Sequence, residues 1–205
     1  MTQNRSRVSK TLFEDAELNK MIRFGDEEAA LDLIHHGAGV DDPTLQGIPS
    51  LLSTIDGGLI RVAEALLEAG SDVNIQDDTG NTGVLIASSR GKADFVMLFL
   101  DYGADVNIVG SYGMTALMRA VPVQTKIVEA LIRAGADVNA VDNRKETVLR
   151  HAITQYNNSH LKIIRLLLES GANVHAKDSE GRTALDVAIA RGYNRIADLL
   201  EEWGT

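Results

Sequence analysis

His35, His36, His151, His160 and His175 carry the most chemical potential in this chain, because imidazole can bind a metal or move a proton near neutral pH. Their placement argues against both. His35 and His36 are adjacent on a helical pattern, so their side chains diverge by about 100° and cannot share one ion. They fall in a last helical turn, where the macrodipole favours positive charge. His151 aligns with a core leucine when the chain is compared with itself, His160 opens a helix, and His175 stands where asparagine is usual. No His-Glu-x-x-His spacing or calcium loop occurs. Ser89-Arg90-Gly91-Lys92 fits the Ser-x-x-Lys pattern of penicillin-binding enzymes, but the companion motifs are missing and the segment joins two helices. Gly110-Ser111-Tyr112-Gly113 is too short for a nucleophile elbow, and no phosphate loop ending in Gly-Lys-Ser/Thr is present. Acidic neighbours such as Asp77-Asp78 read as solvated surface. The expectation is no catalytic residue, no metal site and no cofactor.

The bulk properties narrow the function classes further. In 205 residues there are 20 Lys+Arg against 29 Asp+Glu, a net charge of −9. Binding a phosphate backbone needs clustered cations, so nucleic acid is not the expected partner, and an anionic membrane is disfavoured by the same repulsion. Having no cysteine excludes disulfides, thiolate catalysis and the commonest structural zinc ligands. Residues 1–10 carry Arg5, Arg7 and Lys10, but Glu14 and Asp15 interrupt the apolar run that a secretory signal requires. No stretch approaches the roughly 18 apolar residues of a membrane span. A cytoplasmic protein with a disordered tail over 1–10 and one domain over 11–205 is expected.

What positions the polar residues is a repeat. Gly70-Ser71-Asp72-Val73-Asn74, Gly103-Ala104-Asp105-Val106-Asn107 and Gly135-Ala136-Asp137-Val138-Asn139 are close copies; Gly37-Ala38-Gly39-Val40-Asp41 and Gly171-Ala172-Asn173-Val174-His175 are degraded ones. The glycines advance by 33, 33, 32 and 36 residues, and Gly204 falls 33 after Gly171. An apolar helical pattern precedes each copy, as in residues 59–67. A shorter one lies further upstream, headed by Thr82, Thr115, Thr147 or Thr183. Threonine there caps free N–H groups of a helix, and the glycine supplies the left-handed turn at the end of the next. Asp-Val-Asn and the following residues then run out as a hairpin. Neither helix buries its apolar stripe alone, so units must stack.

This order and period resemble the ankyrin-repeat family over about residues 12–204. The resemblance implies an all-α solenoid of about six helix-turn-helix units with short β-hairpin fingers, at about 11–41, 42–74, 75–107, 108–139, 140–175 and 176–205. The family's Thr-Pro-Leu-His element is altered throughout, reading Pro49-Ser50-Leu51-Leu52, Thr82-Gly83-Val84-Leu85, Thr115-Ala116-Leu117-Met118, Thr147-Val148-Leu149-Arg150 and Thr183-Ala184-Leu185-Asp186. Losing the histidine removes a side chain that, in the family, ties neighbouring fingers together. Repeat five also carries an insertion around Tyr156-Asn157-Asn158-Ser159.

By that resemblance the chain is a protein–protein interaction module that uses the fingers and first helices, the concave face. The acidic balance favours a partner with a basic patch. An inhibitor or immunity protein against a basic enzyme or toxin, or a non-catalytic scaffold fragment of a larger protein, are the alternatives. Acidic ends, with Glu17, Asp26, Glu201 and Glu202, favour a monomer. Aligning the repeats places variable surface positions at Gln76, Asp78, Thr79, Asn81, Ser89 and Arg90 in repeat three. The equivalents are Val109, Ser111, Tyr112, Met114, Pro122 and Val123 in repeat four, and Val141, Asn143, Arg144 and Glu146 in repeat five. Gly110 replaces the usual finger aspartate, leaving an apolar, aromatic centre with polar neighbours, the composition of a binding hot spot and its rim.

Overall fold

Short apolar stripes of about one to three turns, most of them closed by a glycine, become helices in the computed structural model, which describes residues 16–41, 48–154 and 160–204. Six helix pairs follow one another among the described residues. The first three are α1 (16–24) with α2 (Glu27–His35), α3 (Ser50–Gly57) with α4 (Ile60–Glu68), and α5 (Gly83–Ser89) with α6 (Ala93–Asp101). The others are α7 (Ala116–Ala120) with α8 (Thr125–Arg133), α9 (Val148–Thr154) with α10 (His160–Glu169), and α11 (Ala184–Ala190) with α12 (Asn194–Trp203). The fingers close with isolated antiparallel bridges, Gln76 to Thr82 and Val141 to Thr147, and no longer strand occurs among the described residues. The expected tail at 1–10 and the insertion around Tyr156-Asn157-Asn158-Ser159 lie outside the described residues.

The second helix of a pair ends as its glycine requires. At α4, Gly70 takes φ 96°, its N–H bonds to Leu67 O at 3.0 Å, and Ser71 N–H reaches Leu66 O at 3.0 Å. The same double closure recurs at Gly135 after α8 and Gly171 after α10, satisfying carbonyls that the helix leaves open. At the other end, the hydroxyls of Thr115, Thr147 and Thr183 accept N–H bonds from Met118, Arg150 and Asp186. Thr183 and Asp186 exchange bonds in a full capping box. Thr82 departs from the expected cap. Its hydroxyl is buried with no hydrogen-bond partner, and only its backbone works, accepting from Ile86 N at 3.1 Å and bridging Gln76.

The described residues gather into two compact units, those within 16–87 with 94–105 and those within 88–93 with 106–204. In the first, α2, α3 and α4 pack together over Leu51, Ile55, Val62 and Leu66, while Phe99 lies against Gly83 so closely that a methyl there would overlap its ring. In the second, first helices pack on first helices (α7, α9, α11) and second helices on second helices (α8, α10, α12). Leu117, Leu131, Leu149, Ile164 and Leu167 are buried between the rows. Each such side chain contributes about 1.5–3 kcal/mol of burial.

Asparagines stitch successive repeats. Asn74 Oδ1 accepts from Asp105 N at 2.8 Å in the first unit. In the second, Asn107 accepts from Asp137 N at 2.8 Å and donates to Gly135 O at 3.1 Å, and Asn139 repeats both bonds with Asn173 N and Gly171 O. The recurring Asn of the Gly-Ala-Asp-Val-Asn copies is thus a coupling residue.

Candidate binding site

Fingers three, five and six are each built on one carboxylate. Asp77 Oδ1 accepts the N–H groups of Thr79 and Asn81, both at 2.9 Å; Asp142 takes those of Arg144 and Glu146, and Asp178 those of Glu180 and Arg182. An acceptor two residues before a turn organises it locally. Burial pushes the Asp178 carboxyl up. The Arg182 N–H and guanidinium, the Glu180 N–H and the Arg182 charge outweigh that and hold it below its ordinary value. Asp77 is held down in the same way: burial raises it, and bonds from Asn81 and Thr79 prevail.

Finger four has no such carboxylate. Gly110 N–H bonds to Met114 O at 3.0 Å and Gly113 N–H to Gly110 O at 3.1 Å, and Ser111–Gly113 form one 3₁₀ turn. Two consecutive residues are left-handed, Tyr112 at φ 63° and Gly113 at φ 76°. A non-glycine residue there costs about 1–2 kcal/mol. Tyr112 is nonetheless 81% exposed, so burial does not compensate the strain. Its carbonyl accepts from Asn143 N at 3.1 Å, and Arg144 O accepts from Ser179 N at 3.2 Å, so fingers four, five and six stack through their backbones.

Beside Tyr112 lies a cavity of about 420 Å³, lined by Ser89, Ser111, Tyr112, Met114, Met118, Arg119, Pro122, Val123 and His151. Of the positions expected from sequence, it brings together Ser89, Ser111, Tyr112, Met114, Pro122 and Val123. Arg90, Val109, Asn143, Arg144 and Glu146 belong to the same unit but do not line it. Gln76, Asp78, Thr79 and Asn81 belong to the other unit. Asn81 is buried, bonding to the Asp77 carboxylate and the Thr79 hydroxyl, and Gln76 bonds to Gly80 O, so finger three spends these side chains on itself. Met118, Arg119 and His151 were missed. Arg119 and His151 share one register, four residues after the capping threonine, and that register was the available signal.

His151 is also a correction. It does not replace a core leucine: Leu149 fills that place, and His151, about 200° further round the helix, is part-buried with Nε2 3.1 Å from Asp142 Oδ2. Asp142, Glu146 and His151 bring ligand atoms within 4.8 Å of one another. Asp142 is already engaged by two N–H groups and the imidazole, and the Arg150 guanidinium stands 3.8 Å from Glu146 Oε1, where it opposes a dication. Arg150 itself occupies the place of the family histidine. It is 6% exposed, with Nη2 3.6 Å from Asp178 Oδ2 in the next finger. The inter-finger tie expected to be lost is, in repeat five, made by a guanidinium. A second cavity of about 410 Å³ is lined by Val174, His175, Thr183, Leu185, Leu200, Glu201 and Gly204. Its lining contains no Phe, Tyr or Trp.

Comparison with known proteins agrees with this geometry. The family description "Ankyrin repeats (3 copies)" matches residues 51–142 and 123–205. The human Ankyrin repeat and SOCS box protein 6 is 35% identical over 108 residues, 51% of this chain and 26% of that protein. A putative ankyrin repeat-containing protein of Treponema pallidum is 31% identical over 100 residues, 48% of this chain and 34% of that protein. The chain thus spans about a quarter to a third of the length of these relatives. A solved ankyrin repeat domain from Acinetobacter baumannii is 31% identical with a TM-score of 0.87, covering 92% of this chain and 97% of that one. The crystal structure of the ankyrin repeat protein EF0377 gives 26% and 0.85 over 91% and 97%. With its helix pairs, glycine-closed second helices and asparagine-linked fingers, the chain belongs to the ankyrin-repeat family.

Proposed function

We propose that this chain acts by binding a protein partner, without catalysis, and that the finger and first helix of repeat four carry the centre of the contact. Ankyrin repeats are in general protein–protein interaction modules, and the comparisons support that much for this chain. The observation that carries the finer reading is Tyr112: an exposed aromatic held in a strained backbone conformation at the edge of an apolar cavity floored by Met114, Met118 and Val123. Strain concentrates at functional sites, where other selection outweighs its cost. Tyr, with Trp and Arg, is among the side chains enriched as interface anchors.

The electrostatics of encounter reside in the first unit, where 3 Lys+Arg face 15 Asp+Glu among the described residues, a net −12. Burial, then the charges of Glu68 and Glu64, push the Tyr102 phenol up. A partner with a basic patch is steered towards this half. Affinity capture from native lysate with the wild-type chain and with Tyr112→Ala/Met114→Ala is the test. The partner should be lost from the double variant while helicity and melting stay close to wild type, since an anchor typically contributes ~2 kcal/mol or more. Equal capture by both proteins would place the contact on another face.

A further inference from the structure

The two units differ in charge as much as in sequence. Against the −12 of the first, the second carries 14 Lys+Arg and 11 Asp+Glu, a net +3 within a chain of −9. The imbalance reaches the cavity beside Tyr112. Its lining includes two basic side chains, Arg119 and His151, and no carboxylate. The acids of finger five are already committed. Asp142 accepts from Arg144 N, Glu146 N and the His151 ring, and Glu146 faces the Arg150 guanidinium. At the tip of the same finger Arg144 and Lys145 are exposed and form no ion pair among the described residues. Finger five is joined to finger four by the bond from Asn143 N to Tyr112 O.

We infer that this cavity accepts a short partner segment that carries an apolar side chain next to a carboxylate. The inference rests on the proposed location of the contact and adds the chemistry of its occupant. A volume of about 420 Å³ is near the lower end of the ~300–1,000 Å³ of small-ligand pockets, the size of one or two side chains rather than of a folded surface. Tyr112, Met114, Met118, Pro122 and Val123 offer the apolar contact. Arg119 on the cavity wall offers a guanidinium, whose planar fork matches a carboxylate. A lysine or arginine in the segment would meet Arg119 instead, and like charges placed together at an interface are strongly unfavourable. The site therefore selects against the basic surface that the rest of the chain attracts. The segment so defined is acidic and apolar where it meets this cavity of the second unit.

The test is selection of a random dodecapeptide library displayed on phage against the full chain, the Tyr112→Ala/Met114→Ala variant and Arg119→Gln. Wild-type selection should enrich peptides with excess Asp and Glu beside Leu, Ile, Phe or Met, and the double variant should not recover them. A synthetic peptide from that set should bind Arg119→Gln about tenfold more weakly by fluorescence anisotropy, the worth of one charged hydrogen bond. Arg119→Lys, which keeps the charge but lacks the planar fork, should restore only part of the affinity. Because Arg119 Nη2 lies 3.5 Å from Ser111 O, melting is measured for each variant and binding is compared below all transitions. Enrichment of basic or neutral peptides that still depends on Tyr112 and Met114 would overturn the acidic chemistry and leave the location standing. Peptides indifferent to the double variant would overturn both. A library that yields no enrichment on the wild type overturns the segment-binding inference.

Discussion

Fingers four and five solve the same geometric problem by different means. Both close across the turn, Gly110 N to Met114 O at 3.0 Å and Asp142 N to Glu146 O at 3.1 Å. In finger five the Asp142 carboxylate gathers two N–H groups and an imidazole, so the turn is satisfied by its own side chain. Finger four replaces that carboxylate with Gly110 and closes through backbone bonds, with Arg119 Nη2 3.5 Å from Ser111 O, at the expense of a left-handed tyrosine. A finger that satisfies itself has little left to offer a partner. One that leaves its aromatic tip exposed and strained keeps that tip available. If this contrast is right, damage to a carboxylate finger should cost stability, and damage to the tip of finger four should cost binding.

The largest effect is expected at finger six, where the aspartate serves two repeats. Asp178 is 3% exposed at its side chain and faces both Arg150 and Arg182. Removing one member of a buried pair leaves an uncompensated charge, on the order of 3 kcal/mol, so Asp178→Ala should lower the midpoint of urea unfolding substantially. The carboxyl is held below its ordinary 3.8, so its folded state binds its proton less readily than the unfolded chain. That contribution is complete above the unfolded pKa and fades as pH falls through the lower, folded one. Asp178→Asn should therefore be less stable than wild type at neutral pH, and the gap should begin to close only below about pH 4 and shrink further as pH falls through the lower folded pKa. A gap that persists unchanged in acid would show that the charge is not what Asp178 contributes.

A glycine pair separates the fingers next. Gly113 and Gly181 occupy equivalent positions, at φ 76° and 77°. A methyl on Gly113 would lie 2.8 Å from Asn143 N and closer still to the Asn143 side-chain oxygen, whereas a methyl on Gly181 meets nothing within 4 Å. Gly181→Ala should cost only the backbone term, ~1 kcal/mol. Gly113→Ala adds steric overlap with the stacked finger and should cost roughly 3 kcal/mol. Equal losses by chemical denaturation would mean that the stacking of fingers four and five is not tight.

The helix pairs, the caps at Thr115, Thr147 and Thr183 and the glycine-closed helix ends were legible because each rests on contacts close in sequence: a threonine and the N–H three residues on, a glycine and the carbonyls just before it. The exposed tip of finger four was legible for the same reason, since the absence of aspartate at Gly110 is a local fact. The tie between Arg150 and Asp178 was not. It spans 28 residues of chain, and nothing in the Thr147-Val148-Leu149-Arg150 segment announces the carboxylate that meets it. His151 was misassigned because alignment by residue type put it in the leucine register, while helical geometry turns it toward Asp142. Arg119 and Met118 joined the cavity only once α7 had a definite rotation about its axis.

Tyr112→Gly brings the contrast to one residue. Glycine adopts φ 63° freely, so the folded state sheds about 1 kcal/mol of strain. The unfolded chain gains freedom that offsets part of it. Melting temperature should stay level or rise slightly while partner binding falls. Lys145→Gly is the control, because Lys145 at φ 61° carries the same strain in finger five. It should stabilise equally and leave Tyr112-dependent binding in place. A Tyr112→Gly protein that melts lower would show that the ring packs on the finger rather than waiting for a partner.

The smallest effect is also the most specific. Gly110→Asp restores the carboxylate that fingers three, five and six possess, at the position from which Asp142 Oδ1 reaches the N–H groups two and four residues on. In finger four those belong to Tyr112 and Met114. Two new charge-assisted bonds favour the aspartate-organised turn, in which the residue equivalent to Tyr112 is not left-handed: Thr79, Arg144 and Glu180 all lack positive φ. Net stabilisation should be modest, about 0.5–1.5 kcal/mol, because each N–H exchanges water or a backbone partner for the new acceptor. The ring would leave the edge of the cavity, and a carboxylate would enter a region that offers a guanidinium and an imidazole. Binding of an acidic, apolar peptide should weaken although Tyr112, Met114 and Arg119 are all still present. If Gly110→Asp instead bound that peptide as well as wild type, composition alone would explain the contact, and the left-handed turn of finger four would have no part in it.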